Sequence, residues 1–388
     1  MTEELVAIPT QNPPGKAYPA RADLLTARLQ ALGLPPEVIA VPGPADDPYP
    51  RTCLQSYHGT GERTLYFHGH YDVVPATAEQ FVPRRVGSRL YGRGASDMKG
   101  GLAAMIYAVR ALADCGLPAT GRIGLTIVPD EETGGQRGSR YLSEQGLLGQ
   151  GAIGMILPEP TNGTMIWNAN RGAITLRVTA HGKHAHVGQH YRGINAFEGM
   201  LAAANALMVL KAEVEQRETG YRLDSEADPA AASGSILMLG GRTEGGTSFN
   251  AVPAECSFTV ERRINPEEDL ATERARLFAI LDEVRAQGIN LDVEVLQEGH
   301  AAGCAEDTPV ARALVGAIKQ IKGIIPSFEM CPGLLEIRWY DQLGIPAYAY
   351  GPGILDVSHG PAEYAELAGI PEAAAIYALT AARLFAQM

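Results

Sequence analysis

Six side chains in this sequence have the chemistry of metal ligands or acid–base groups: His70, Asp97, Glu131, Glu132, Glu159 and His359. Imidazole nitrogens mixed with carboxylate oxygens suit zinc or a similar first-row metal. His70, the Glu131-Glu132 pair, Glu159 and His359 each follow an apolar run that reads as a strand. In open α/β sheets, sites form in the crevice beyond the carboxyl ends of the strands. The carboxylates outnumber what one ion needs, which suggests two ions sharing a bridging ligand, a job that suits Asp97. Taken singly, each residue has a plainer explanation. His70 reads as a satisfied histidine, Glu131-Glu132 as a solvated turn, and Glu159, flanked by prolines, as a rigid surface loop. Asp97 alone reads as a helix cap. Their convergence on one sheet edge is what favours a metal site.

The elements that must position these residues are legible in outline. Asp97 lies in LYGRGASDMKGG, where glycines permit a tight loop, and the apolar stretch from Leu102 to Val109 reads as a buried helix. Thr64 to Phe67 runs into HGHYDVVP, Arg122 to Val128 into PDEETGG, Ala152 to Leu157 into PEPT, and Ala347 to Tyr350 into GPGILDVSHGP. Strands alternating with helices predict a mostly parallel α/β sheet. From Gly172 the texture changes to the order β-α-β-β-α-β, which fits a ferredoxin-like unit inserted into the larger domain. Gly220 to Gly234 reads as a surface loop. The expected boundaries are 1–171 and 298–388 for the two parts of the larger domain and 172–297 for the insert.

Composition narrows the function classes. The net charge of −12 argues against nucleic acid and anionic membrane surfaces as partners. Five widely spaced cysteines with no CxxC pair suggest neither a thiolate zinc site nor a disulfide framework, so reduced cysteines and a cytoplasmic location are expected. The opening MTEELVAIPTQNPPG lacks a basic region followed by an apolar run, so no secretory signal is expected. No segment has the apolar length of a membrane span.

HGHYDVVP, LYGRGASDMKGG, PDEETGG, PEPT, NRG, GKHAHVG, NAVP and SHGPAEY occur in an order that resembles one family. It is the di-zinc family of acetylornithine deacetylase, succinyl-diaminopimelate desuccinylase and the glutamate-releasing carboxypeptidases. The resemblance implies a zinc-hydrolase catalytic domain with an inserted lid and dimerisation domain. It further implies two divalent ions, most simply zinc, with cobalt or manganese as alternatives. His70 and Glu159 resemble ligands of one ion, Glu132 and His359 of the other, and Asp97 the bridge. Asp72 is similar to the family's aspartate that orients the ligating imidazole. Glu131 is similar to the general base, which takes a proton from the metal-activated water and delivers it to the leaving amine.

In the insert, His186 matches the family's catalytic histidine, which stabilises the tetrahedral oxyanion, in some relatives across the dimer. His181, His184 and His190 read as loop histidines. Asn250 and Arg263 resemble lid residues that hold a substrate carboxylate, with a surface charge as the equal alternative for Arg263. Gly353 resembles a backbone contact to substrate. Three departures bear on the pocket. The stretch before LYGRG is short, Glu336 stands where many relatives carry aspartate, and Ser358 replaces the usual alanine. The expected activity is removal of an acyl group from an N-acyl amino acid or related small amide, by a homodimer formed through the lid. The alternative within the family is a carboxypeptidase or dipeptidase. From another class, the rival is a non-catalytic binding protein, which would be expected to have lost a ligand or the base.

Overall fold

All seven residues of Thr64–His70 are buried, the mark of a strand at the centre of a sheet covered on both faces. In the computed structural model, which describes residues 1–44, 48–118, 120–223 and 232–386, this strand has parallel neighbours on both sides. Arg122–Val128 lies on one side and Ala152–Leu157 on the other, and Ala347–Ala349 continues the parallel block. Antiparallel strands Arg51–Gly59 and Glu37–Val41 extend one flank, and Met165–Asn170 the other. The result is a mixed α/β sheet whose parallel centre sends several strand ends to one edge. Helices Tyr18–Ala31, Gly100–Asp114, Pro309–Lys322 and Gly369–Ala386 cover it. Leu25, Met105, Leu314 and Ile376 from these helices join Leu65, Phe67, Leu125 and Ile156 in one apolar core.

Most of these elements fall where the sequence pattern puts them; Glu37–Val41 and Met165–Asn170 have no counterpart in that reading, and two further strands depart from it. Arg51–Gly59 reads RTCLQSYHG, and its polar residues hide a strand whose middle is buried. The Thr64 strand runs on to His70, so His70 is its last residue rather than the first of a loop. Burial of His68 and His70 in the pleat, against the usual preference of histidine, explains why apolar patterning stops short.

The chain divides into two compact units. The first is Met1–Asn168, Gly303–Glu329 and Leu335–Met388; the second is Ala169–Ala302 with Met330–Leu334. The second unit takes in Met330–Leu334 from far along the chain, and the Arg171 amide donates to the Cys331 carbonyl at 3.1 Å. Its four-stranded antiparallel sheet has the order Ile236–Gly245, Glu255–Ile264, Gly172–His181, Asn290–Gly299. Helices Ala196–Val214 and Leu270–Ala286 give the chain order β-α-β-β-α-β, as the sequence predicts. Strict alternation puts Ile174, Leu176, Val178 and Ala180 into a separate core with Leu207, Leu210, Leu277 and Leu281. Of the surface loop expected over 220–234, residues 224–231 lie outside the described residues.

Candidate metal centre

Parallel pairing decides which side chains meet. His70 pairs with Val128, so the strand ends carrying His70 and Glu131-Glu132 lie side by side. Leu157 ends the next strand, and Glu159 follows two residues later. Asp97 comes from a different route, a turn ahead of Gly100–Asp114 in which Gly94 has φ of 82°. Side-chain oxygens and nitrogens of His70, Asp97 and Glu159 all lie within 4.8 Å of one another, and so do those of Asp97, Glu132 and His359. Asp97 belongs to both groups. Its Oδ1 is 3.3 Å from His70 Nε2, and its Oδ2 is 3.2 Å from His359 Nε2. Glu159 Oε1 lies 3.5 Å from the same His70 nitrogen, and Glu132 Oε2 lies 3.4 Å from His359 Nε2.

The side chains behind these groups are held in turn. Asp72 Oδ1 is 3.3 Å from His70 Nδ1, and the Asp72 carboxylate accepts hydrogen bonds from the amides of Glu131 and Glu132, each at 3.2 Å. One carboxylate thus sets both the imidazole and the acidic turn. The second oxygen of Glu132 accepts from the Val74 amide at 3.1 Å, leaving one oxygen for the His359 side. Glu131 is in neither group, although it neighbours Glu132.

The electrostatics follow from crowding. Burial alone pushes the His70 imidazole down, but Asp72, Asp97 and Glu159 hold its pKa well above the ordinary value. Asp97 and Glu132 push His359 up to about 11. Burial works against ionising Asp97, yet the two histidines hold it below the usual carboxylate range. Burial, then the charge of Asp97, pushes Glu159 up to about 7. Burial raises Glu131 well above its ordinary value, with Glu159, Glu132 and Glu336 adding to the rise and His70 opposing it. A half-buried carboxyl with a raised pKa beside a carboxylate–imidazole cluster has the character of an acid–base group.

Three residues in quoted stretches had no role assigned from sequence. Glu363, in SHGPAEY, accepts from the amides of Ser96 and Asp97 at 3.0 and 3.1 Å and pairs with Arg93 at 2.6 Å. Arg93 also donates to the His359 carbonyl at 3.0 Å, so this buried pair ties the Asp97 turn to the His359 loop. Asn12, in IPTQNPPG, donates to Asp72 and Asp130. Their presence within the motifs was the only signal.

In the second unit, His186 is exposed and pairs with Ala251 in a short two-stranded ladder, its Nδ1 accepting from the Gly188 amide at 3.1 Å. His181 lies 2.9 Å from Asp292, and His190 stands edge-on to Tyr191. Asn250 Oδ1 accepts from Ser248 Oγ at 2.7 Å. Arg263 is paired with Glu261 at 2.6 Å on its own strand. In the first unit, a side chain at Gly353 would come within 2.3 Å of the Ser96 carbonyl oxygen, so close backbone packing already requires glycine there. At the departure Glu336, the side chain is fully buried against His68, and its charge acts on Glu131. Ser358 Oγ donates to the Ile354 carbonyl within its own loop.

Residues 66–383 match the model of Peptidase family M20/M25/M40. This chain belongs to that family. A probable succinyl-diaminopimelate desuccinylase of Staphylococcus aureus is 32% identical over 254 residues, 61% of each chain, so that match spans about three-fifths of the relative's length. Aminoacylase-1 of Sus scrofa is 28% identical over 353 residues, covering 87% of this chain and 83% of that protein. A family M20 metallo-carboxypeptidase from Sulfolobus solfataricus superposes with a TM-score of 0.83 at 17% identity, covering 100% of this chain and 98% of that one. That last likeness is one of fold.

Proposed function

We propose that this protein is a metal-dependent amidohydrolase that removes an acyl group from an N-acyl amino acid or a related small amide. The observation that carries the reading is Asp97, which turns one oxygen to the His70 group and the other to the His359 group. The mixed imidazole and carboxylate donors fit two zinc ions, with His70 and Glu159 on one, Glu132 and His359 on the other, and Asp97 shared. Such ions supply Lewis acidity for the amide carbonyl and for water. Asp72 orients His70 through Nδ1. Glu131 takes the proton from water and returns it to the leaving amine. His186 donates to the developing oxyanion, and Asn250, Arg263 and Gly353 contact the substrate.

A homodimer through the second unit is supported by its surface. Phe197, Leu201, Met208 and Val209 recur at helical spacing and are all exposed on Ala196–Val214, and Ile236–Gly245 is a largely exposed edge strand. A cytoplasmic location is supported by cysteine usage, for the five cysteines are widely spaced and form no CxxC pair. Among the described residues no helix is long and apolar enough to cross a membrane.

The test is a panel of N-acetyl and N-succinyl amino acids and dipeptides, offered to protein reconstituted with zinc, cobalt or manganese. Release of acyl groups supports the reading. Cleavage of dipeptides alone makes the protein a peptidase of the family. Absence of turnover with every ion leaves the non-catalytic reading.

A further inference from the structure

Behind the Glu131–Thr133 turn lies a second cluster of charges that the metal-ligand groups do not use. His68, Glu336 and Arg338 are all fully buried. His68 Nε2 meets Glu336 Oε2 and lies 3.1 Å from Ser139 Oγ, while its Nδ1 is 3.1 Å from the Tyr340 hydroxyl. Arg338 donates from one guanidinium nitrogen to the Leu335 carbonyl at 2.7 Å and from another to the Gly134 carbonyl at 3.0 Å. Burying such charges is costly unless each is paired and hydrogen-bonded, so this cluster calls for an explanation.

Its position supplies one. Gly134 closes the acidic turn, with its amide donating to the Glu131 carbonyl at 2.8 Å. Gly135 follows with φ of +69°, and a Cβ there would lie 2.8 Å from Glu336 Oε1 and 3.5 Å from the nearer Arg338 nitrogen. The turn therefore rests directly on the side chains of Glu336 and Arg338. Glu336 and Glu131 are the two carboxylates whose charges act on Arg338. The turn carries two adjacent glutamates with different targets, so its rotation has to be set from both ends. Asp72 holds the amides at its start. Arg338 holds a carbonyl at its end.

We propose that Arg338 is a positioning residue for Glu131, gripping the Gly134 carbonyl so that the turn presents Glu131 and Glu132 at one fixed setting. The His68–Glu336 pair braces the short helix Ile337–Asp341 from which Arg338 reaches. The planar guanidinium is suited to this task because it spans two carbonyls at once, which an ammonium on a flexible stem does less well. The proposal rests on reading Glu131 as the base.

The test uses the full metal-loaded chain and two variants, Arg338→Met and Arg338→Lys. In Arg338→Met, amide hydrogen exchange speeds up in the peptide covering 130–138 and stays unchanged elsewhere, and metal content matches the parent. Its kcat falls by about 10- to 100-fold, the loss typical of removing a supporting partner, with KM within about threefold. Arg338→Lys recovers part of kcat. Unchanged exchange in the turn, or unchanged kcat in metal-replete protein, overturns the proposal, as does a loss of activity that metal loss fully explains. If Arg338→Met does not fold, Arg338→Lys carries the same measurements, with intermediate values expected and parent values overturning. Should the parent protein turn over none of the panel substrates, the functional reading fails, while the exchange data still decide whether Arg338 clamps the turn.

Discussion

Asp97 and Glu131 are both acidic and both feel the charge of His70, yet their surroundings push them in opposite directions. Two imidazoles hold Asp97 ionised, while burial among like charges favours the protonated form of Glu131. A ligand and a base need that contrast. Glu131→Gln is expected to cut kcat by about 10²–10⁴-fold while zinc content, measured by mass spectrometry, stays at the parent level. Loss of zinc instead would make Glu131 a ligand and exchange the roles within the pair. The histidines lead to a second expectation. Asp97 and Glu132 push His359 up to about 11, which favours the protonated imidazole at pH 7 in the ion-free protein, and the carboxylates around His70 shift it in the same direction. A metal ligand must present a bare nitrogen, so ion uptake expels protons and affinity falls as pH falls. Titration calorimetry in buffers of differing ionisation enthalpy should register at least one proton released per chain at pH 7, and none released would contradict the assignment. For stability the sign is the reverse. The His359 pairing stabilises the ion-free fold fully below about pH 6.5, and that contribution is lost as pH rises through about 11.

At the scale of elements, the central motif shows how little room the site leaves. Gly94 takes a left-handed conformation, the turn-making use of glycine. Gly101 serves a different purpose. It is helical, and a Cβ there would lie 2.3 Å from the Pro158 carbonyl oxygen. The helix after Asp97 thus presses directly on the turn that carries Glu159. Gly101→Ala forces the two apart, and we expect a stability loss of about 1–3 kcal/mol in denaturant unfolding, as for an overpacked core. Zinc affinity, measured by chelator competition, should fall as well, because Asp97 and Glu159 belong to the same ligand group. A variant as stable and as tight as the parent would mean that the backbones yield without moving the ligands.

At the scale of the whole molecule, the oxyanion role proposed for His186 and the subunit in which it would act are both testable. It sits exposed in the second unit, in the short ladder where it pairs with Ala251. His186→Ala is expected to lower kcat by about 10²–10³-fold with KM changed far less, the pattern of a lost oxyanion donor. His184→Ala, on the same loop, serves as the control and should leave kcat near the parent value. If His186 acts in the partner subunit, mixing His186→Ala chains with Glu131→Ala chains restores part of the activity. No recovery with heterodimers confirmed by native mass spectrometry would put the histidine in its own subunit's site.

What could be read from the chain alone was whatever is encoded locally. Apolar runs ending at Phe67, Val128 and Leu157 mark strands, and the alternation Ile174, Leu176, Val178, Ala180 marks the sheet of the second unit, because pleat and helix impose short periods on any sequence. Residue types at those strand ends also pointed to the cluster of imidazoles and carboxylates that the fold brings together. Other features depend on neighbours remote in sequence. Arg51–Gly59 is a strand because a partner strand buries its middle, although its own residues are mostly polar. Glu363 matters because it meets the Asp97 amide 266 residues away. Gly101 has no side chain because Pro158 approaches it, and Glu336, which stood out in sequence as a possible change to the pocket, is buried against His68. Spacing along the chain carries no record of which distant groups will be desolvated together. That is decided only when the parallel strands close side by side and bring their ends to one edge.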